Sequence, residues 1–280
     1  MSIQLVVDSS ADIDLQRAAE NALTIVPLTV AFGEDVFRDY VEIAPDEFFR
    51  RMAATSQLPK TSMPPTTAFE DAYRRLISDG ATSIISAHLP PTFSGTLNAA
   101  RLAAEAVTKD TGVPITLIDS GTVSAGLGTP MLHAAKMLRD GATETQLVTY
   151  LRDAWQRGKT YLLLDTLTNL EKGGRIGHAQ AFVGAMLSIK PILTFKDGVV
   201  TPLERVRTRA KALNQFRELL VRLSPLAEVG IVTSDPTTYT EFEALVRTVY
   251  DGPIVSFAFG AVVGTYAGPR SGGVFAVPQG

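Results

Sequence analysis

The stretch 82–107, TSIISAHLPPTFSGTLNAARLAAEAV, limits the fold more than any other. Thr82 to Ala87 form an apolar, β-branched run, the pattern of a buried strand. Leu97, Ala100, Ala104 and Val107 then recur at spacings of three, four and three, which is one face of a helix. A Pro-Pro loop and the turn Ser94-Gly95-Thr96 join the two. Serine is a preferred helix cap, and the first N–H groups of a helix have no internal partner. Ser94 therefore either caps its helix or, with those N–H groups, forms a small receptor for an anion. This stretch alone leaves both readings open.

The same alternation extends on both sides. Ile3 to Val7 read as a first buried strand closed by Asp8-Ser9-Ser10, a natural turn and cap. Ile25 to Phe32 read as a second, with Pro27 inside it placing it at a sheet edge. A short helix over 46–52 follows, then a loop from Lys60 to Pro65, then a helix from Thr66 or Thr67 to about Ser78. Ile115 to Ile118 make another strand, closed by Asp119-Ser120-Gly121. Helices are expected over 124–138 and 143–156, the latter with Thr143 and Gln146 at capping-box spacing. Strands alternating with helices imply a parallel sheet covered on both faces, with sites beyond the carboxyl ends of its strands. Ser9, Ser10, Ser94 and Ser120 should converge there.

From Gly158 the pattern changes. Strands at 160–164, 192–195 and 199–203 surround Asp197-Gly198, a strong hairpin signal. A helical turn over 167–172 is broken by Gly173-Gly174-Arg175, and 179–189 is an apolar run that reads as a buried helix or a pocket wall. Helices over 208–223 and 237–250 and strands over 229–233 and 254–259 complete the reading. The expected architecture is α/β: a mainly parallel α/β/α domain over 1–157 and an α+β domain with a mixed sheet over 158–280.

Composition narrows the function. With 26 basic and 29 acidic residues the net charge is −3, which does not suggest a nucleic-acid surface. Cysteine is absent, so thiol chemistry and cysteine-based zinc sites are excluded. No apolar stretch reaches membrane-spanning length and the first residues lack a signal-peptide pattern, so a cytoplasmic protein is expected. Gly158-Lys159-Thr160 lacks the glycine that begins a phosphate-binding loop, because Asp153 stands there. Gly126-Leu127-Gly128 lacks the third glycine of a dinucleotide fingerprint. Ser124 has no glycine two residues before it and so is not read as a nucleophile elbow. His88, His133 and His178 are too dispersed to predict a metal site. What remains is a set of hydroxyls, glycines and one arginine: Thr61, Ser62, Ser94, Gly95, Thr96 and Arg175. These can hold an anion but offer no base, which favours binding over catalysis. Arg175 could instead pair with a surface carboxylate.

Asp8-Ser9-Ser10-Ala11-Asp12, Thr61-Ser62-Met63-Pro64, Ser94-Gly95-Thr96, Asp119-Ser120, 170–176 (LEKGGRI), 190–193 (KPIL) and Gly268-Pro269 occur in an order and spacing that resemble the DegV family of bacterial fatty-acid-binding proteins. The resemblance spans nearly the whole chain. It implies two α/β domains with one long-chain fatty acid between them and no further cofactor. Thr61 and Ser94 would hold the carboxylate, with Ser62, the Gly95 region and Arg175 completing the polar end. It also implies a partner: a fatty-acid kinase subunit related to dihydroxyacetone kinases, which converts the presented acid to acyl phosphate for phospholipid metabolism. Arg205 and Arg207 would lie near the pocket mouth on the face that meets it. Tyr266 stands where the family has histidine, and Arg270 where it has glycine. Tyr266 keeps a hydroxyl donor for the carboxylate or its water but loses a titration near neutral pH. The competing expectation is a hydrolase or phosphoryl-transfer enzyme acting on a small anion at the same place.

Overall fold

A computed structural model describes residues 2–280, with the backbone alone over 183–188. Strand β1 (Ile3–Asp8) leads through helix α1 (Leu15–Glu20) to β2 (Leu23–Val26). The single strand expected over 25–32 is two strands in two sheets. Proline gives no N–H to a ladder, and the chain leaves the first sheet at Pro27. It resumes as β3 (Thr29–Phe32), which pairs antiparallel with β4 (Asp35–Arg38) and with β5 (Lys60–Ser62). Helix α2 (Pro45–Ala53) lies between β4 and β5 in the chain. The stretch expected as a loop from Lys60 thus begins as a strand.

The expected parallel sheet is present. After α3 (Thr66–Ser78) come β6 (Ser83–His88), α4 (Thr96–Thr111) and β7 (Ile115–Asp119), and the sheet runs β2-β1-β6-β7 with every neighbour parallel. All six residues of β6 are buried, as a strand covered on both faces must be. Phe69, Tyr73, Ala100 and Ala104 of α3 and α4 cover one face. Helix α5 (Ala125–Arg139) covers the other, and α6 (Glu144–Arg157) begins with the expected capping box at Thr143 and Gln146.

The chain then enters a mixed sheet, through β8 (Lys159–Leu163), the short helix α7 (Thr168–Lys172) and a 3₁₀ run over Gly177–Ser188. That run covers most of the stretch 179–189, expected as a buried helix or a pocket wall: its backbone is 3₁₀, and the side chains of 183–188, on which the wall reading depends, lie outside the described residues. The antiparallel pair β9 (Lys190–Lys196) and β10 (Val199–Val206) turns at Asp197-Gly198 as expected. Helix α8 (Arg209–Leu223), β11 (Leu226–Thr233), α9 (Pro236–Val246) and β12 (Ile254–Ala258) follow, then α10 (Ala261–Ala267) and β13 (Gly272–Pro278), neither of which the sequence reading anticipated. The order is β10-β9-β8-β13-β11-β12, and β11 with β12 is its parallel pair. Helices α8 and α9 bury Phe216, Leu220 and Phe242 on its outer face. Helix α5 lies against its inner face, where Leu127 and Met131 join Val232 and Phe275 in one core with Leu5, Val7 and Ile85 of the first sheet.

Candidate functional site

A cavity opens where the carboxyl ends of the parallel strands meet the inner face of the mixed sheet. Ser10 follows β1, Leu89 follows β6, and Val123 with Ser124 follow β7. Opposite them are Leu162 and Leu164 at the end of β8, Phe195 of β9 and Val200 of β10. Strand β5 supplies Thr61 and Ser62, the link before β3 supplies Leu28, and α10 supplies Val262, Val263, Tyr266 and Ala267. Position at the carboxyl ends of the strands of an α/β sheet is that of a small-molecule site.

The polar groups are gathered at the open end. Thr61 Oγ1 lies 2.5 Å from Tyr266 Oη, so β5 and α10 are tied together there. Arg175 stands above the Tyr266 ring, with its guanidinium carbon 5.4 Å from the ring centre. It donates to the carbonyls of Gly173 at 2.6 Å and Phe93 at 3.3 Å. A side chain at position 173 could not coexist with this arrangement, because its Cβ would come within 2.4 Å of the Tyr266 ring. Among the described residues, Arg175 meets no carboxylate at ion-pair distance, and the cavity wall carries this one cation and no acid. The surface ion pair weighed from the sequence is not formed.

Ser94 is half-buried beside them but is not the helix cap. Helix α4 begins at Thr96 with Gly95 at its N-cap and no side-chain cap bond. Ser94 sits one residue earlier, where its Oγ lies 2.8 Å from Thr96 Oγ1 and accepts from Thr96 N at 3.3 Å. Gly95 is not on the wall. It allows the Met63 thioether, which is on the wall, to lie where a Cβ would be only 2.5 Å from the sulfur. Thr61, Ser94, Arg175 and Tyr266 are half-buried, and Ser62 and Met63 are exposed, whereas Ser10, Leu28, Leu164 and Phe259 are buried. The cavity is therefore polar at its mouth and mainly apolar within.

Other expectations fail for stated reasons. Ser10 and Ser94 reach the cavity, but Ser9 donates to Asp39 at 3.0 Å and Ser120 to the carbonyls of His88 and Thr122, both at 2.9 Å. Those two hydroxyls are spent on the fold. Arg205 and Arg207 are exposed, and neither lines the cavity. His88 is buried between Ser86 Oγ at 2.7 Å and Asp8 at 3.0 Å. Among the described residues no three His, Cys, Asp or Glu side chains form a metal-binding group.

Two buried acids escaped the sequence reading. Asp12 accepts from Gly260 N at 2.8 Å and Ser124 Oγ at 2.5 Å, and Asp39 accepts from Ala261 N at 2.8 Å. Burial raises the Asp12 pKa well above the usual carboxylate range and pushes Asp39 up to about 7. Together they hold the start of α10, the helix that carries Tyr266. Asp12 lies inside a motif noted for other reasons. Asp39 lies in no motif, so no local signal marked it.

The family model described as "Uncharacterised protein, DegV family" matches residues 2–279. A DegV domain-containing protein from Halalkalibacterium halodurans is 33% identical over 277 residues, covering 97% of each chain. A Thermus thermophilus structure described as fatty acid binding of a DegV family protein superposes at TM-score 0.89 with 28% identity, covering all of both chains. A stearic acid-binding protein from Eubacterium ventriosum superposes at TM-score 0.90 with 27% identity, over 99% of this chain and 98% of the other.

Proposed function

This chain belongs to the DegV family, and from that premise we propose that it is a non-catalytic carrier holding one long-chain fatty acid in its cavity. The observation that carries the reading is the polarity of the cavity: a mainly apolar interior, in which Ser10 and Ser124 are the buried hydroxyls, with the other hydroxyls and an unpaired arginine gathered at the mouth. A fatty acid has the same polarity. Each buried methylene gains roughly 0.8 kcal/mol, so the tail supplies most of the affinity. The carboxylate needs donors, because an ionised group out of water is costly unless hydrogen-bonded or paired. Thr61 with Tyr266, Ser94 and Arg175 meet that need, and Ser62 borders them. The Thermus and Eubacterium proteins with this fold are described as fatty-acid binders.

A carboxylate held at a mouth rather than in a core is open to a second protein. In our reading a separate kinase subunit uses this opening. A carboxylate oxygen attacks the γ-phosphorus of a nucleoside triphosphate, the diphosphate leaves, and acyl phosphate forms with this chain as the holder. The two lobes around 1–157 and 158–280 would act as the walls between which the tail is clasped.

Lipid extraction and mass spectrometry of the purified protein test the carrier reading. It predicts a fatty acid at close to one per chain, or stoichiometric uptake of added hexadecanoic acid. A protein that takes up no fatty acid but turns over small esters or phosphate esters would overturn it in favour of an enzyme. Acyl phosphate formation by the kinase should require this chain.

A further inference from the structure

The cavity is bounded on one side by a thin wall. Alternate residues of an extended strand face the same way, so Leu164, Leu162 and Thr160 form one row on the inner face of the mixed sheet. Leu162 and Leu164 line the cavity, but Thr160 lines a second, open groove. Tyr161 pairs with Thr194 in the antiparallel register, so Phe195 stands next to Thr160 on the same face. Among the described residues, Phe195 is the one side chain on the walls of both spaces. Beside it the Thr122 and Thr160 hydroxyls close the gap between β7 and β8 with a 2.9 Å hydrogen bond. The ring is held by Phe93, edge to face, with centroids 5.4 Å apart. Beyond it the groove is lined by the half-buried Trp155 and the buried Ile118 and Phe275, among polar and charged residues that include Asp119, Arg152 and Lys196.

We propose that Phe195 is the chain-length stop of the cavity, and that its removal lets a longer tail extend into the groove. The proposal rests on the fatty-acid reading and adds to it the residue that selects among acids. A rigid aromatic ring held by a second ring resists displacement by a methylene, since packed side chains yield at a cost of overpacking. An acyl chain that reaches the ring has to bend back or leave its end in water. Without the ring, the same chain meets Thr160 and then the groove, where the half-buried Trp155 offers apolar surface.

The test is a series of dissociation constants for saturated acids from about C12 to about C22. In the parent, affinity should rise by about fourfold per added CH₂, the equivalent of roughly 0.8 kcal/mol, up to a limiting length and then fall. Phe195→Ala should move the limit to longer acids by at least two carbons, and Phe195→Trp should move it to shorter ones. The Trp variant keeps the wall aromatic and carries the test should the Ala variant not fold. The absence of native cysteine allows a second readout. Lys159 is exposed in the groove, and maleimide labelling of Lys159→Cys should slow when a C20 acid binds the Phe195→Ala background, but not the parent background. A limiting length common to parent and variants overturns the stop while leaving the carrier reading intact. Failure of the parent to bind any acid in the series overturns the carrier reading itself.

Discussion

Thr61 and Tyr266 own two hydroxyl protons between them. One lies in their mutual hydrogen bond, 2.5 Å long, in which either oxygen can be the donor. The other is left for a ligand, and either residue can present it. Loss of one hydroxyl therefore does not remove the donor to the carboxylate, because the survivor keeps its own proton. It removes only the mutual bond, which exists in the free and the loaded protein alike. The affinity should fall only by the order that bond imposes, under about 1.5 kcal/mol for a neutral pair. Loss of both leaves the carboxylate one charge-assisted bond short, about 1.5–3 kcal/mol, or roughly 10- to 150-fold in Kd. The variants are Thr61→Val, which keeps the β-branched shape suited to β5, and Tyr266→Phe, which keeps the ring under Arg175 and so isolates the hydroxyl. Calorimetric titration of the parent, both single variants and the double variant with hexadecanoic acid closes the cycle. The double variant should lose more than the two single losses added together. Simple additivity, or a Tyr266→Phe loss as large as that of the double variant, would refute the shared-proton argument.

Three further outcomes are expected. Ser94→Ala should weaken fatty-acid binding by more than about tenfold with an unchanged melting curve, since it deletes a donor to a charged group worth roughly 1.5–3 kcal/mol; equal affinity by calorimetry would remove Ser94 from the site. His133 bonds Glu228 at 2.9 Å, and that bond raises its pKa, so its stabilisation is full below the unfolded value of about 6.5 and fades as pH rises through the folded value. The melting temperature of the parent should exceed that of His133→Gln more at pH about 5 than at pH about 8, and a constant gap would count against the pair. Burial raises Asp39 to about 7, so the folded state holds its proton over a range where the unfolded chain has lost it, and stability drains away as pH climbs from about 4 to about 7. Asp39→Asn should gain on the parent in urea midpoint across that interval and no further above it; parallel pH profiles would contradict the buried, protonated form.

The alternation that defines the first sheet could be read because each element there is long enough to show a period. Strand β6 is five apolar or small residues in a row followed by His88, and α4 repeats its buried face over four turns. The Asp197-Gly198 turn could be read because its chemistry is local. Strand β5 could not. It is Lys-Thr-Ser, three polar residues whose strand character comes from pairing with Thr29–Ala31. Strand β13 begins with two glycines and ends in proline, a composition that signals turns, yet it lies between β8 and β11 with five of its residues paired to β8. In both cases tertiary pairing overrides local preference. Of the site, Thr61, Ser62, Ser94, Arg175 and Tyr266 were named from motifs, and the fold brings all five to one mouth. The bond between Thr61 and Tyr266 joins residues 205 apart in the chain, and no periodicity or spacing rule reaches so far.

The same reach explains how a seven-residue helix becomes a dependable wall. Helix α10 is too short to be stable by propensity, so its position has to be imposed from outside. Asp12, just past β1, and Asp39, just past β4, take the N–H groups of Gly260 and Ala261 at its start. Thr61 of β5 takes the Tyr266 hydroxyl in its last turn. Phe48 of α2 is fully buried against Ala261 in the small cluster between them. Three of these four anchors come from the segment 35–62, between the first two strands of the parallel sheet and the rest of it, and the helix they hold comes from the last part of the chain. The polar mouth therefore exists only when the two ends of the sequence are docked. Buried carboxyls are costly unless their hydrogen bonds are met, so Asp12 and Asp39 resist any shift of α10 that would leave those bonds unmade. Weakening either acid should loosen the hold on a ligand that neither one touches.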